Sequence, residues 1–201
     1  MSGQPGASSA ASAPVPVLNI ANFLTVLRIV MVPFFIWFFL ADSQHYGPWR
    51  WAALLTFCVA IYTDQLDGDL ARRRGLITDF GKIADPIADK LLIGAALVLL
   101  SWLGELSWWI TGVILIRELG ITGLRFVVIR YGVIPASRGG KLKTVLQTAA
   151  IFLFLLPVTP QWPWLWWVAF IVMLAALVVT VVTGVDYILQ AIRLRRVGRA
   201  Q

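Results

Sequence analysis

Six long apolar stretches, separated by short polar breaks, limit what this chain can fold into. A helix needs about 20 mostly apolar residues to cross the hydrocarbon core of a bilayer, and the stretches approach or exceed that length. They do not alternate polar and apolar residues as barrel strands do, so in lipid their backbone groups can be paired only within helices. We therefore predict an all-α fold, an integral membrane bundle of about six transmembrane helices. The stretches are residues 20–41, 51–66, 87–104, 107–129, 142–157 and 163–190.

The composition argues against a water-soluble protein. Of the 201 residues, 59% are hydrophobic and 13% are charged, whereas soluble domains average about 45–50% apolar residues. The single cysteine, Cys58, excludes an internal disulfide framework and a cysteine-built zinc site. Residues 1–18 are uncharged and mostly Ser, Ala, Gly and Pro, so we expect a disordered N-terminal tail, a membrane domain at 19–192 and a basic cytoplasmic tail at 193–201.

The positive charges lie at alternate breaks, and this pattern predicts the orientation of the chain in the membrane. Because cytoplasmic loops carry an excess of Lys and Arg, we expect both termini on the cytoplasmic side of the membrane. Nine of the ten tryptophans lie near the opposite ends of the stretches, as in an aromatic belt. The net charge of +7 therefore serves orientation and contact with membrane lipids, and we expect no nucleic-acid partner. The clustered cations are Arg72, Arg73, Arg74, Lys82 and Lys90, then Arg125, Arg130, Arg138, Lys141 and Lys143, then Arg193, Arg195, Arg196 and Arg199.

Six of the ten acidic residues lie within residues 64–89, between two apolar stretches. Ionised carboxylates near a membrane are costly unless they are paired or bind a metal, so the cluster indicates a functional site. On helices, Asp64 and Asp67 share one face and Asp85 and Asp89 share another. Two such helices could bring four carboxylates together, and oxygen ligands suit a hard cation such as Mg²⁺ or Mn²⁺.

Small and basic residues follow the first two aspartates. Gly68 and Ala71 continue the face that begins at Asp64 and leave room for a ligand or a neighbouring helix. Arg72 adds a cation that suits phosphate. The segment would therefore accommodate a metal-bridged diphosphate.

This spacing resembles the signature of the CDP-alcohol phosphatidyltransferase family, with all eight defining positions present. The resemblance implies a six-helix membrane enzyme, often a dimer, that uses an alcohol to displace CMP from a CDP-linked lipid at a two-metal site. The matching positions are Asp64-x-x-Asp67-Gly68-x-x-Ala71-Arg72, then eight residues, Gly81, three residues, Asp85, three residues and Asp89.

The resemblance also implies roles for these residues. Asp89 is the expected general base, which takes the proton from the attacking hydroxyl, and it also completes or adjoins the second metal site. The implied metal ligands are Asp64, Asp67, Asp85 and Asp89. The residues implied to line the pocket for the CDP-lipid are Asp67, Gly68, Ala71, Arg72 and Gly81.

Residues outside the motif resemble family members that use CDP-diacylglycerol with sn-glycerol 3-phosphate as the acceptor. The acceptor phosphate needs cations, and those of the fourth break lie on the predicted catalytic side. Related acceptors, phosphatidylglycerol or an inositol phosphate, would keep the same motif, and a divalent-cation transporter is the alternative from another class. The segments that carry the resemblance are 19–22 with Thr25 and Arg28, 66–68, 85–90, 116–118 with Arg125, and 140–144 with Gln147. The predicted acceptor-binding residues are Arg117, Lys141, Lys143 and Arg138.

Three further charged residues each allow two interpretations. Glu118 is either an acid of the ligand pocket or the ion-pair partner of Arg117. Arg28 either extends towards the membrane surface or contacts substrate. Asp186 is expected to interact with Arg193 or with a backbone group.

Overall fold

The structure is a computed structural model that describes residues 20–42, 45–74, 79–128 and 138–197. Within these ranges, no side chains are described for residues 21, 67–83, 85–86, 125–138 and 194–197. All the regular structure in these ranges is helical, as predicted. The helices are α1 (Ile20–Asp42), α2 (Pro48–Arg74), α3 (Asp79–Trp102), α4 (Trp108–Val128), α5 (Arg138–Leu155) and α6 (Pro163–Val197), and a short 3₁₀ turn (Thr159–Gln161) precedes α6.

Helices α2 and α3 extend further than the apolar stretches that predicted them. The second stretch ends at residue 66, but α2 continues to Arg74, and α3 begins at Asp79 instead of residue 87. A helix pairs its own backbone groups whatever its side chains are, so it can continue where the apolar residues end. The aspartate motif therefore lies on two helices, as the i, i+3 and i, i+4 spacings require.

The helices pack in two groups that share a core. Helix α1 packs against α2 and α3, and α6 packs against α4 and α5. The groups meet where α2 contacts α5 and where α3 contacts α4 and α5. The core between them includes the apolar residues Phe35, Phe57, Leu97, Ile114 and Phe154, each at most 1% exposed.

Large apolar side chains also cover the outside of the bundle. Phe23, Leu55, Ile116 and Val182 are each more than 60% exposed, and soluble proteins rarely expose apolar surface over such an area. By length and composition, two helices in the described ranges could cross a membrane, namely Asn22–Asp42 and Pro163–Arg193. These features indicate a membrane protein.

Arg50 joins several helix ends on the side of the bundle where α5 finishes. Its guanidinium is fully buried and donates hydrogen bonds to the carbonyl oxygens of Phe154 (3.0 Å) and Leu155 (3.2 Å). These are the last carbonyls of α5, which have no partner within the helix. Arg50 also forms an ion pair with Glu105, in the turn between α3 and α4. Its Cζ atom lies 4.2 Å from the centre of the Phe39 ring in α1.

The Glu105 carboxyl depends on this ion pair. Burial raises the pKa of Glu105 above its usual range, and the positive charge of Arg50 opposes that rise. Without Arg50, the carboxylate would be a buried and uncompensated charge.

We predict that Arg50→Ala destabilises the protein strongly, because it removes the cationic partner of the Glu105 carboxylate and leaves two helix-end carbonyls without a hydrogen bond. Breaking a buried ion pair costs about 3–5 kcal/mol, which for a chain of this size corresponds to a melting temperature lower by about 10 °C. Thermal unfolding in detergent measures the change. Glu105→Gln, which removes the charge and keeps a hydrogen-bonding side chain, should cost less. A melting temperature of Arg50→Ala equal to the wild-type value would contradict the prediction.

Candidate active site

A cavity of about 620 Å³ lies at the end of the bundle opposite Arg50, with walls contributed by α2, α3, α4, α5 and α6. Carboxylates and cations line it together. Its charged residues include Asp64, Asp89, Arg117, Glu118, Lys141 and Lys143. The structure therefore gathers residues as distant in the sequence as Asp64 and Gln190 around one space.

Several of the residues predicted for this site have no described side chain. Their helices are nevertheless known, and their predicted roles stay predictions. Asp67, Gly68, Ala71 and Arg72 lie in α2, Gly81 and Asp85 lie in α3, and Arg138 is the first residue of α5.

The carboxylate of Asp64 contacts the guanidinium of Arg28, which belongs to α1. Arg28 Nη1 lies 2.5 Å from Asp64 Oδ1, and the Arg28 side chain is 1% exposed whereas that of Asp64 is 40% exposed. Arg28 therefore points into the protein, towards the aspartate motif. The ion pair leaves part of the Asp64 carboxylate accessible from the cavity.

Asp64 and Asp89 approach the cavity from different helices, α2 and α3. Both also line a second cavity of about 410 Å³, which runs between α2 and α5 along apolar side chains that include Phe57, Ile61 and Phe152. Two carboxylates with accessible oxygens suit a hard divalent cation. Among the residues with described side chains, no three acidic, His or Cys groups are close enough to hold a metal ion.

Glu118 connects two of the cavity's cations. Its Oε1 lies 3.2 Å from Arg117 Nη1 and forms an ion pair with the Lys143 ammonium. Glu118 thus is the partner of Arg117 and also a residue of the cavity wall, so both interpretations of its sequence position hold. With Lys141 also at the cavity, the cations of this wall outnumber its carboxylate.

Arg117 is fixed against α6 by contacts that the sequence did not indicate. Its Nε donates to the Thr180 carbonyl (3.0 Å) and its Nη2 donates to Thr183 Oγ1 (2.8 Å). A Cβ atom added at Gly184 would lie 3.1 Å from Arg117 Cγ and 3.2 Å from Nε. The absence of a side chain at Gly184 therefore provides the space in which the Arg117 side chain lies.

The expected partner of Asp186 was wrong. Its carboxylate accepts a hydrogen bond from Gln190 Nε2 at 2.8 Å, and not from Arg193. The two residues are separated by one helical turn and their side chains are therefore adjacent on α6. Asp186 lies at the rim of the cavity and is exposed.

Comparison with known proteins gives matches over most of the chain. The family model described as CDP-alcohol phosphatidyltransferase matches residues 18–182. A probable phosphatidylglycerophosphate synthase of Mycobacterium tuberculosis is 50% identical over 177 residues, which are 88% of this chain and 83% of that protein. A CDP-diacylglycerol–glycerol-3-phosphate 3-phosphatidyltransferase of Bacillus subtilis is 37% identical, over 71% of this chain and 79% of that protein. The Escherichia coli protein with the same description is 39% identical, over 66% of this chain and 74% of that protein.

These matches confirm the family that the aspartate motif predicted. The matched region contains α1 to α5 and more than half of α6, and it ends just before the α6 residues that line the cavity, which begin at Thr183. The chain belongs to the CDP-alcohol phosphatidyltransferase family.

Proposed function

We propose that this protein transfers the phosphatidyl group of CDP-diacylglycerol to sn-glycerol 3-phosphate, which releases CMP and forms phosphatidylglycerophosphate. The names of the similar proteins support this reaction. The observation that carries the proposal is the arrangement of charge in the cavity. The carboxylates Asp64 and Asp89, on α2 and α3, line the same cavity as the cations Arg117, Lys141 and Lys143 of α4 and α5.

Two substrates with phosphate groups need both kinds of charge in one cavity. The diphosphate of the donor is suited to the carboxylate side, where divalent cations can bridge acid and phosphate oxygens. The phosphate monoester of the acceptor is suited to the side with excess positive charge. A cavity with one kind of charge alone would bind only one of the two substrates well.

The donor side would use the residues of the motif. Asp64, Asp67, Asp85 and Asp89 would hold Mg²⁺ or Mn²⁺, and such ions, when bound, withdraw charge from the attacked phosphorus and stabilise the departing CMP. The pocket for the CDP-lipid would be lined by Asp67, Gly68, Ala71, Arg72 and Gly81. The apolar cavity between α2 and α5 supports a lipid substrate, because it adjoins Asp64 and Asp89 directly.

The acceptor side would orient the attacking alcohol. Arg117, Lys141 and Lys143, together with Arg138 at the start of α5, would bind the phosphate of glycerol 3-phosphate. Asp89 would accept the proton of the primary hydroxyl as its oxygen bonds to phosphorus and the bond from phosphorus to CMP breaks. General base catalysis of this kind contributes about 10²–10⁴-fold to the rate.

The arrangement in the membrane belongs to the same proposal. All six helices would span the bilayer as a domain of residues 19–192, with the cavity and both tails, 1–18 and 193–201, on the cytoplasmic side. The excess of Lys and Arg at the cavity end of the bundle supports this orientation. The exposed apolar side chains would contact membrane lipids.

We predict that the acceptor determines whether CMP is released. The purified protein with CDP-diacylglycerol and Mg²⁺ should release CMP when sn-glycerol 3-phosphate is added, and not without an acceptor. Inositol 1-phosphate and phosphatidylglycerol, tested at the same concentration, serve as controls. Comparable release with either of them would assign a different acceptor, and uptake of divalent cations into proteoliposomes without CMP release would indicate a transporter.

We predict that Asp64→Asn and Asp89→Asn each lower kcat by at least about 10²-fold, since each removes a charge proposed to hold metal or to accept the proton. CMP release under saturating substrates measures the effect, and thermal unfolding checks that the variants fold. Asp186→Asn is the matched control, because it removes a carboxylate at the rim of the same cavity that has no proposed role. Turnover of Asp89→Asn at the wild-type rate would remove the proposed base.

We predict that Gly184→Ala weakens acceptor binding, because the new methyl group would displace Arg117 from its position against α6. The KM for sn-glycerol 3-phosphate should rise about tenfold, which corresponds to about 1.4 kcal/mol, whereas the KM for CDP-diacylglycerol should change little. Gly112→Ala is the control, since a Cβ atom there would meet no atom within 4 Å. Equal rises of both KM values would show that Arg117 has no specific role on the acceptor side.

A further inference from the structure

Gln147 is a buried polar residue to which neither the motif nor the mechanism assigns a role. It lies in α5, is 3% exposed and faces a narrow cavity of about 30 Å³. Asp89, Glu118 and Lys143 line both this narrow cavity and the larger one, so the two adjoin. Gln147 therefore lies at the inner end of the space assigned to the acceptor.

The amide nitrogen of Gln147 has no hydrogen-bond partner among the described residues. Buried polar groups in folded proteins are nearly always hydrogen-bonded, because an unmade bond costs much of the desolvation free energy of the group. A buried and unpartnered amide that faces a cavity beside charged groups indicates a ligand atom that completes the bond. The partner must offer an oxygen atom and must be small enough to reach the narrow cavity.

The position of Gln147 relative to its charged neighbours indicates which oxygen this is. Gln147 follows Lys143 by four residues on α5. The two side chains therefore lie on one face of the helix, with their Cβ atoms about 6 Å apart. Lys143 belongs to the cations proposed to bind the acceptor phosphate, and Asp89 on α3 is the proposed base for the reacting hydroxyl. In sn-glycerol 3-phosphate, the hydroxyl on C2 lies between the phosphate and the reacting hydroxyl on C1.

We propose that Gln147 hydrogen-bonds the non-reacting C2 hydroxyl of the acceptor and so determines the specificity for a polyol phosphate. This inference rests on the proposed function and adds one residue to its acceptor site. A neutral amide suits a neutral hydroxyl, which can both donate and accept. A site that binds a substrate hydroxyl in this way discriminates strongly against an analogue that lacks it, because the buried amide is then left unpaired.

The test compares two acceptors with the wild-type protein and with Gln147→Met, which keeps the length of the side chain and removes the amide. The acceptors are sn-glycerol 3-phosphate and 3-hydroxypropyl phosphate, which lacks only the C2 hydroxyl. The wild-type kcat/KM should favour glycerol 3-phosphate by about 10²-fold, the ratio expected when one buried donor is left unpaired. In Gln147→Met this preference should fall to within a few-fold of unity, because kcat/KM drops for glycerol 3-phosphate and not for the analogue.

Thr148→Val is the matched control, since Thr148 lines the same narrow cavity and has no proposed role. It should keep the wild-type preference. An equal loss with both acceptors in Gln147→Met would overturn the proposal, because it would mean that Gln147 acts on Asp89 or on the fold. A wild-type enzyme that uses both acceptors equally would also overturn it, and this measurement requires no variant. Failure of the proposed function is distinguishable, since the wild-type protein would then release no CMP with glycerol 3-phosphate.

Discussion

A charge that is removed from water needs a partner, and this requirement organises both ends of the helix bundle. Three of the described cations are deeply buried, and each contacts a carboxylate: Arg28 contacts Asp64, Arg50 contacts Glu105, and Lys143 contacts Glu118. Each pair connects different helices or a helix and a turn. The ion pairs therefore specify how the helices are arranged, a role that apolar contacts with interchangeable side chains perform less well.

The two ends of the bundle use this requirement differently. At the Arg50 end, the guanidinium satisfies a carboxylate and two carbonyls. At the opposite end, Asp64 remains 40% exposed, and Asp89 and Lys141 face open space. Glu118 holds Arg117 and Lys143 near their positions, so an incoming anion meets cations that are already ordered, which reduces the entropy lost on binding. One end stabilises the fold, and the other retains charge that can act on a ligand.

The sequence predicted those features that follow from local pattern. The helices follow from the length of the apolar stretches, and the family from the spacing of residues 64–89. The ends of α2 and α3 were misplaced because hydropathy reports burial in lipid, whereas a helix continues as long as its backbone bonds can form. Arg28 next to Asp64, Gly184 next to Arg117, and the unpartnered amide of Gln147 depend on how distant helices pack. No single stretch of sequence contains that information. The predicted partner of Asp186 was wrong although the actual contact is local. Asp186 accepts a hydrogen bond from Gln190, four residues later on the same helix.

The apolar space between α2 and α5 and the polar cavity share Asp64, Gln65 and Asp89 as a common border. A molecule with hydrocarbon chains and an ionic head can therefore extend across this border, with each half in a medium that solvates it. Under the proposed function, the hydrocarbon chains of the donor would stay in apolar surroundings while its head group reaches the polar cavity. A water-soluble reactant can meanwhile arrive from the open side of the polar cavity, so the two reactants need not compete for one entrance.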